Sequence, residues 1–485
     1  MADKRETMKD IRRSVRDSAR EELQNQIKAA KGKKFMETSA QLVTERDYIE
    51  TNLYIENDVK RGLRNANGTG VLVGLTKIGE VIGYDTDNEG HKLPTEGRLY
   101  YRGYSIGDIV DSCMEEDRFG FEEITYLLLF GELPSASELE IFKNYLGKRR
   151  ELPQGFARDM ILTAPSNNIM NKLARSVLAL YTYDDKADDI SIANVIRQSI
   201  DLIGYFPALI SYAYQAKRSY YDNDSLHLNN PIPELSTSEN ILRMLRPSGE
   251  YTDLEAKLLD LTLILHMEHG GGNNSSFTTH LVSSTGTDTY STIAAAIGSL
   301  KGPRHGGANI KVIHMLDDLK HSVDDYTDPR QVDAYLRRVL RKDANDHSGL
   351  IYGMGHAIYT KSDPRAVALK KMARKLAERN GWLESFELCN YIEKRTPELM
   401  AEIRGDNKPM CANVDLYSGF VYTALGIPEE VATPLFATAR LSGWCAHRIE
   451  ELSNGSKLMR PAYKSVMRPR KYLKMDDRIT TLPIV

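Results

Sequence analysis

The chain has 485 residues, 41% of them hydrophobic, which is enough for a large core and, since single cores stop growing at about 250 to 300 residues, for two structural units. Its 64 basic and 67 acidic residues leave a net charge of -3, so the overall charge gives no reason to expect nucleic acid or an anionic membrane as the main partner. The four cysteines are far apart and form no Cys-x-x-Cys pair, which argues against a zinc ribbon or a disulfide framework and favours the reducing cytoplasm.

The first 60 residues predict a charged helical extension. Apolar residues recur there at helical spacing among many charged ones: Met8, Ile11, Val15, Ala19, Leu23 and Ile27. The segment has no apolar signal core, and no apolar run of the chain reaches the roughly 18 residues of a membrane span, so we expect neither secretion nor a membrane partner. A solvated helix packed on its own protein or on a partner subunit is favoured over a helix at a membrane surface.

The rest of the chain predicts a mainly α fold with a few short strands near its start. Residues 61–102 are rich in glycine and β-branched residues and contain turn signals at Asn-Gly and Asn-Glu-Gly. From about residue 105, long segments of helical period follow, among them "FEEITYLLLFGELP" and "DLEAKLLDLTLILHMEHG". A helix over "TDTYSTIAAAIGSLKGP" is predicted to end at Gly302 and Pro303, and the more charged segments beyond it indicate a smaller helical domain.

Four segments combine titratable side chains with glycine or proline, and they are "HMEHGGGNNSS" (266–276), "GPRHGGAN" (302–309), "YGMGHAIYTKSDPRA" (352–366) and "NVDLYSG" (413–419). Glycines beside His305 and His356 leave room for a ligand near the backbone, although a simple turn explains each one separately. Asp415 precedes a helical pattern and fits an N-cap. The four segments together therefore favour a functional site more than any one of them does.

His266 and His269 admit two interpretations. At i and i+3 on one helical face they can share a ligand or pack near a helix end. With Glu268 between them they also resemble metal ligands, which would suit a metal-dependent hydrolase. The His-Glu-x-x-His pattern and its inverted form are both absent, and no motif marks a third ligand, so we expect no metal here.

Three arginines are candidates to bind an anion. Arg440 interrupts an otherwise apolar helix face, where an arginine must pair with an anion or reach water, and a ligand and a buried ion pair are equal alternatives. Arg365 in "SDPRA" and Arg460 in "KLMRPAY" lie in turn-like settings typical of surface residues. A guanidinium fork would bind a dicarboxylate in bidentate geometry.

The ordered combination of "HGGAN", "GHAIYTKSDPRA", "NVDLYSG" and "SGWCAH" resembles the citrate synthase family, and the resemblance covers about residues 60 to 465. It implies an almost entirely helical homodimer whose large domain is covered by a smaller, closing one. Carried onto this chain, residues 1–60 are an N-terminal extension, 61–306 and 428–485 form the large domain, and 307–427 form the small domain.

The family reaction condenses the methyl group of acetyl-CoA with oxaloacetate and hydrolyses citryl-CoA to citrate and CoA, without a metal or a tightly bound cofactor. The resemblance implies that Asp415 removes a methyl proton, His305 hydrogen-bonds the thioester oxygen, and His356 polarises and protonates the oxaloacetate carbonyl. A thioester α-carbon is a weak acid, so a base and oxygen stabilisation are both needed, each contributing about 10² to 10⁴-fold or more.

The same resemblance assigns the substrate contacts. Oxaloacetate would be held by His269, Arg365 and Arg440 together with Arg460, which would reach in from the second subunit. Coenzyme A would meet the loop around Gly353 and Gly355, with Arg64 and Lys361 as candidates for its phosphates. Three positions depart from the common family pattern: Arg304 replaces a leucine, Gly270 a glutamate and Thr360 a basic residue.

Two alternatives remain within the family. A 2-methylcitrate synthase would use propionyl-CoA with the same catalytic residues, because one methylene changes binding by only about 1 to 3 kcal/mol. A catalytically silent homologue is the second alternative, and the intact set of His305, His356 and Asp415 argues against it.

Overall fold

The computed structural model describes residues 18, 21–22, 26, 33–65, 67–89, 91–405, 409–455 and 457–478. Most of the predicted amphipathic helix over residues 8–27 lies outside the described residues. The chain divides into two compact units, one formed by Met1–Val73 and Pro461–Val485 and the other by Gly74–Arg460.

The first unit is small and mostly exposed. Residues 33–46 form helix α1, followed by α2 (Thr51–Glu56) and a short 3-10 turn at Arg61–Leu63. The C-terminal segment is irregular apart from a 3-10 turn at Met475–Asp477. Within this unit, Lys464 Nζ donates to Asn57 Oδ1 at 2.6 Å.

A three-stranded antiparallel sheet opens the second unit and confirms the prediction of a few short strands near the start of the chain. Its strands β1 (Gly79–Thr86), β2 (Lys92–Tyr101) and β3 (Tyr104–Ser105) pair in sequence order. The predicted strands do not extend over 61–78, where the described residues form only one isolated bridge, between Arg64 and Gly70. β propensity alone does not make a strand there because no neighbouring strand pairs with the segment.

Helices form most of the second unit, so the predicted mainly α fold is confirmed. They are α3 (Ile106–Glu115), α4 (Phe121–Phe130), α5 (Ala136–Gly147), α6 (Ile169–Leu180), α7 (Ile192–Tyr221), α8 (Thr237–Leu245), α9 (Asp253–His266), α10 (Asn274–Ser283), α11 (Thr289–Lys301), α12 (Ala308–Ser322), α13 (Pro329–Leu340), α14 (Pro364–Asn380), α15 (Leu383–Arg404), α16 (Val414–Ala424) and α17 (Glu429–Ser453). The long helices α7 and α17 pack on each other and are buried along most of their length, so they form the centre of the core. Within the described ranges, no helix combines the length and apolar character that a membrane span requires.

Local sequence signals set several helix ends that matter for the site. Ser135, Ser236 and Thr252 each form a capping box with the glutamate three residues later, which begins α5, α8 and α9. Helix α11 ends at Lys301 with Gly302 as its C-cap, as predicted. The predicted domain boundaries fall at Gly307, the N-cap of α12, and just before Pro428, the N-cap of α17. Closure of a small domain stays a prediction.

Candidate active site

Six of the predicted site residues come together in the second unit, five of them where helices begin or end. They are His269 after α9, His305 after α11, His356 before α14, Arg365 in the first turn of α14, Asp415 in the first turn of α16, and Arg440 within α17. The rings of His269 and His356 are 5.2 Å apart between centroids. The charges of Arg365 and Arg440 act on both His269 and Asp415, which places the cations among the titratable groups.

His356 is a neutral hydrogen-bond donor. Its Nδ1 accepts the backbone N–H groups of Ile358 and Tyr359, each at 3.1 Å. Since a backbone N–H only donates, the ring hydrogen of the neutral imidazole lies on Nε2, which has no partner among the described residues. Burial, together with the nearby Arg365, lowers the pKa of His356 to about 4. The ring therefore offers an N–H without a charge at neutral pH.

His305 has the opposite tautomer. Its Nε2 accepts the backbone N–H of Ser275 at 3.3 Å and lies 2.9 Å from the Ser275 hydroxyl, so the hydrogen lies on Nδ1. The hydroxyl is itself fixed by the indole N–H of Trp444 at 3.1 Å and by Asn273 at 3.0 Å. Burial, together with the charge of Arg440, lowers the pKa of His305 to about 4. Two neutral imidazoles thus donate from opposite ring nitrogens.

The glycines beside His305 pack closely on the protein's own backbone. A Cβ at Gly306 would lie 2.4 Å from the carbonyl oxygen of Leu300, and one at Gly307 would lie 3.3 Å from Pro303 Cα. This close packing disfavours larger side chains here, and the expectation that the two glycines leave room for a ligand stays a prediction.

Asp415 has the properties of a general base. The predicted alternative that it caps its helix is wrong, since Asn413 is the N-cap of α16 and its side chain accepts the backbone N–H of Asp415 at 3.0 Å. The Asp415 carboxylate has no hydrogen-bond partner among the described residues. Burial raises its pKa to about 6, although Arg365 and Arg440 oppose the shift. It is therefore ionised at neutral pH and more basic than an exposed aspartate.

Arg365 and Arg440 are both buried but differ in their partners. Arg365 is held by Asp363, with Nε at 3.0 Å and the Nη2 nitrogen at 2.7 Å from its two oxygens. Among the described residues, Arg440 donates only from Nε, to the carbonyl of His266 at 2.7 Å. In the described part of the chain no carboxylate lies within ion-pair distance of Arg440, so the buried ion-pair alternative is wrong. Burial lowers the pKa of Arg440 to about 10, which leaves it charged with its two terminal nitrogens free for an anion.

His266, Glu268 and His269 do not form a metal site. His266 Nδ1 lies 2.7 Å from the carbonyl of Thr262, and the Glu268 carboxylate is bound by His447 at 3.1 Å, away from both histidines. Among the described residues these three side chains do not form a group whose ligand atoms could share an ion. His269 Nε2 is buried without a partner, which suits a ligand oxygen in the site.

The loop before His356 is fastened to the start of α16. The Gly355 N–H donates to the Cys411 carbonyl at 2.8 Å, and the Asn413 N–H donates to the Gly353 carbonyl at 2.9 Å. Gly353 has φ +83°, and a Cβ there would lie 2.8 Å from Leu416 Cβ, so only glycine fits. This pairing holds His356 and Asp415 at a fixed separation.

The remaining predicted site residues are not brought into this group. Lys361 and Arg460 are exposed and have no ion-pair partner in the described ranges. Arg64 belongs to the first unit, where its side chain donates to the Gly68 carbonyl at 3.1 Å.

Two of the three departures from the family pattern have a structural reason. Gly270 has φ +75°, a conformation that a glutamate adopts only with strain. The hydroxyl of Thr360 donates to the Gly83 carbonyl at 2.9 Å and so joins the loop after His356 to β1. Nothing in the structure explains Arg304, which is exposed.

Three supporting residues were missed by the sequence reasoning. Tyr359 stacks on His356 with ring centroids 4.5 Å apart, and its buried hydroxyl has no partner in the described structure. Asp363 orients Arg365, and Ser275 sets the tautomer of His305. Asp363 could have been found as the N-cap before Pro364. The other two depend on contacts that no local pattern shows.

Comparisons with known proteins agree with this geometry. A family model described as "Citrate synthase, C-terminal domain" matches residues 66–462. The citrate synthase of Deinococcus radiodurans is 36% identical over 388 residues, covering 79% of this chain and 94% of that protein. The 2-methylcitrate synthase of Shewanella oneidensis is 30% identical over 381 residues, covering 78% of this chain and 92% of that protein.

A solved structure is similar over most of its length. The ternary complex of citrate synthase from Thermoplasma acidophilum with carboxymethyl coenzyme A and oxaloacetate has a TM-score of 0.70 and 26% identity, covering 87% of this chain and 99% of that one. Nothing in these comparisons supports a metal-dependent hydrolase.

Fold and site together define a condensing enzyme of the transferase type. The chain belongs to the citrate synthase family, whose members use CoA-linked substrates, and the resemblance seen in the sequence is confirmed.

Proposed function

We propose that this protein condenses acetyl-CoA with oxaloacetate and hydrolyses the resulting thioester to citrate and CoA. Arg440 carries the proposal. A buried guanidinium without a carboxylate partner is costly unless an anion joins it. With Arg365 and the unpartnered His269 beside it, the site matches a small dicarboxylate that carries a carbonyl group.

The first step is proton removal from the methyl group of the thioester. The Asp415 carboxylate takes the proton, and the C–H electron pair passes to the thioester oxygen as enolate character develops. The Nδ1–H of His305 is the donor for this oxygen, and Ser275 fixes the ring in the tautomer required. A neutral imidazole suits this role because it stabilises the oxygen by a hydrogen bond while Asp415 remains the base.

Carbon–carbon bond formation follows. The enolate carbon attacks the oxaloacetate carbonyl, and the C=O electron pair moves to oxygen, which takes the Nε2 proton of His356 to become the hydroxyl of citryl-CoA. The Ile358 and Tyr359 N–H groups assist this proton transfer because they stabilise the negative charge that develops on Nδ1. Water then cleaves the thioester and releases CoA.

Acetyl-CoA is favoured over propionyl-CoA as the acyl donor. The citrate synthase of Deinococcus radiodurans is 36% identical to this chain, whereas the 2-methylcitrate synthase of Shewanella oneidensis is 30% identical. Coenzyme A is proposed to meet the Gly353 to Gly355 loop, with Arg64 and Lys361 at its phosphates. No tightly bound cofactor or metal is proposed.

A homodimer completes the proposed site. Arg460 is exposed, and the segment after it exposes two aromatic side chains, Tyr463 at 96% and Tyr472 at 86%. Large exposed aromatic side chains are typical of a surface that a partner covers. We assign Arg460 to the oxaloacetate site of the second subunit. A cytoplasmic location is proposed because all four cysteines are buried free thiols.

Arg440→Lys tests the oxaloacetate assignment, because lysine keeps the charge but loses the fork. The KM for oxaloacetate is expected to rise at least about tenfold, since a charge-assisted bond contributes about 1.5 to 3 kcal/mol. Arg448→Lys is the matched control on the same helix. It is also buried, but its nitrogens bind Ser283, Thr289 and Thr292 at 3.0 to 3.2 Å, so it should alter stability and not this KM. An unchanged KM in Arg440→Lys would refute the assignment.

A further inference from the structure

Two histidines behind the site form a hydrogen-bonded chain with two glutamates. His447 Nε2 lies 3.1 Å from both oxygens of Glu268, and His447 Nδ1 lies 3.0 Å from His280 Nε2. His280 Nδ1 lies 2.9 Å from Glu451 Oε2. The side chains of His447 and Glu268 are fully buried, and that of His280 is 12% exposed. This hydrogen-bonded series of four side chains thus links the turn after α9 to α17 and α10.

The hydrogen-bond partners of the two imidazole rings determine how many protons the four side chains hold. A carboxylate only accepts, so His447 Nε2 and His280 Nδ1 both carry hydrogen. Two neutral rings would then face each other with lone pairs at 3.0 Å. One additional proton replaces this repulsion with a hydrogen bond. Burial and the neighbouring His447 lower the pKa of His280, whereas its hydrogen bond with Glu451 raises it.

The distances favour a proton over a metal ion between the two rings. His280, His447 and Glu450 offer ligand atoms within 4.8 Å of one another, which are of the types zinc prefers. Two nitrogens on one tetrahedral zinc would be roughly 3.3 Å apart, given Zn–N bonds of about 2.0 to 2.1 Å. The observed nitrogens are 3.0 Å apart, an ordinary hydrogen-bond length, and Glu450 Oε2 is 3.9 Å from His447 Nδ1.

The surrounding charges also favour a bound proton. Three carboxylates lie here, those of Glu268, Glu450 and Glu451, and Glu450 Oε1 accepts the Lys77 backbone N–H at 2.7 Å. Two guanidiniums interact with Glu268 electrostatically: Arg102, which follows β2, and Arg440 of α17. An imidazolium between these carboxylates is stabilised by them, and its loss removes positive charge from a buried place.

Glu268 connects the chain to the substrate site. Glu268 directly precedes His269, and the Gly270 backbone N–H on the other side of His269 interacts with the Glu268 carboxylate and lowers its pKa. The Tyr101 hydroxyl fixes the same turn from the sheet by donating to the Glu268 carbonyl at 3.2 Å. A Cβ at Gly443 would lie 2.6 Å from Glu268 Oε2, so this position leaves the space that the carboxylate occupies.

From this geometry we infer that His280 and His447 are positioning residues that share one proton and thereby hold Glu268, and through it His269, in place for the dicarboxylate substrate. The inference rests on the proposed function, because it takes His269 as a substrate ligand. When the shared proton is lost at high pH, the Glu268 carboxylate loses its cation and the turn relaxes. The KM for oxaloacetate then rises, while kcat changes less.

Kinetics of two His280 variants test the inference. His280→Arg keeps a cation that does not titrate, and His280→Gln keeps a donor without charge. Between about pH 7 and about pH 10, the KM for oxaloacetate should rise about tenfold in the parent and stay flat in His280→Arg, since arginine remains charged. His280→Gln should show the raised KM already at about pH 7. A merely structural role would not produce this pH profile or its rescue by arginine.

Neutron crystallography of the full-length parent protein at neutral pH reads the proton count directly and needs no variant to fold. Three hydrogens in the chain support the inference, and two would overturn it. Stoichiometric zinc bound between the rings would overturn it as well. A protein without synthase activity refutes the proposed function, whereas an active protein whose KM is equally flat in the parent and both variants overturns only the inference drawn here.

Discussion

Asp415 is the residue on which the chemistry depends most. Asp415→Asn keeps the shape of the side chain at position 415 and the N-cap geometry at Asn413, but it removes the base. We expect kcat to fall by about 10² to 10⁴-fold with little change in the KM for oxaloacetate, as is usual when a general base is lost. Asp317→Asn, which changes an exposed carboxylate on α12, is the matched control and should keep full activity. Equal kcat values for the two variants would show that Asp415 is not the base.

Asp415→Asn is also expected to increase the stability of the folded protein in a pH-dependent way. The pKa of Asp415 rises on folding from its ordinary 3.8 to about 6 because of burial. Between these two pKa values the folded protein keeps a proton that the unfolded chain loses. The free energy of unfolding therefore falls as pH rises, and this destabilisation by Asp415 is complete above about pH 6. The amide of the variant does not titrate. The melting temperature of Asp415→Asn should therefore exceed that of the parent above about pH 6, and the difference should vanish near pH 4.

A constant difference in melting temperature across this range would contradict the raised pKa of Asp415. Other titrating groups are common to both proteins, so they cancel in the comparison.

For individual residues, the sequence predicts the catalytic side chains better than the residues that position them. His305, His356, Asp415 and the two buried arginines stand beside glycine, proline or apolar neighbours that mark them. The residues that position these side chains have no such neighbours to mark them. Ser275 and Trp444 are 169 positions apart and meet only through the packing of α10 on α17, so no local pattern indicates that they fix the tautomer of His305.

Among the elements, the loop before His356 and the start of α16 act as one piece. Gly353→Ala would place a Cβ 2.8 Å from Leu416 Cβ and would separate His356 from Asp415. We expect kcat to fall at least about tenfold, in addition to a stability loss of about 1 to 3 kcal/mol for the left-handed conformation. The measurement is kcat together with the melting temperature.

Gly381→Ala separates these two effects. Gly381, at the end of α14, is also left-handed, with φ +73°, but a Cβ added there would meet nothing within 4 Å. The variant should lose stability and keep kcat. A similar loss of kcat in both variants would mean that backbone strain, and not the separation of the two catalytic side chains, causes the defect.

Helix boundaries were predictable where capping boxes and proline mark them, and the end of α11 at Gly302 is one example. The few short strands predicted within 61–102 lie in the second half of that range, because a strand forms only where a neighbouring strand pairs with it. The pairing of 353–355 with 411–413 was not predictable. It joins distant segments through the backbone bridge between Met354 and Ala412, supported by the Asn413 side chain, which donates to the Gly355 carbonyl at 2.9 Å.

For the whole molecule, the proposed dimer makes a stoichiometric prediction. Asp415→Asn and Arg460→Ala each inactivate the site to which that residue belongs. If Arg460 acts in the second subunit, a mixed dimer of the two variants has one intact site and one with both defects. Random re-pairing of equal amounts makes about half of the dimers mixed, so about a quarter of the parent activity should return. No recovery after verified subunit exchange would place Arg460 in its own subunit's site or outside the site.

Product identity tests the central claim most directly. Equimolar acetyl-CoA and propionyl-CoA are offered with oxaloacetate, and the tricarboxylates and free CoA are quantified by mass spectrometry. We expect citrate in at least about tenfold excess over 2-methylcitrate, as one methylene allows, with one CoA released per tricarboxylate and almost none by Asp415→Asn. A predominance of 2-methylcitrate, or CoA release without a tricarboxylate product, would contradict it.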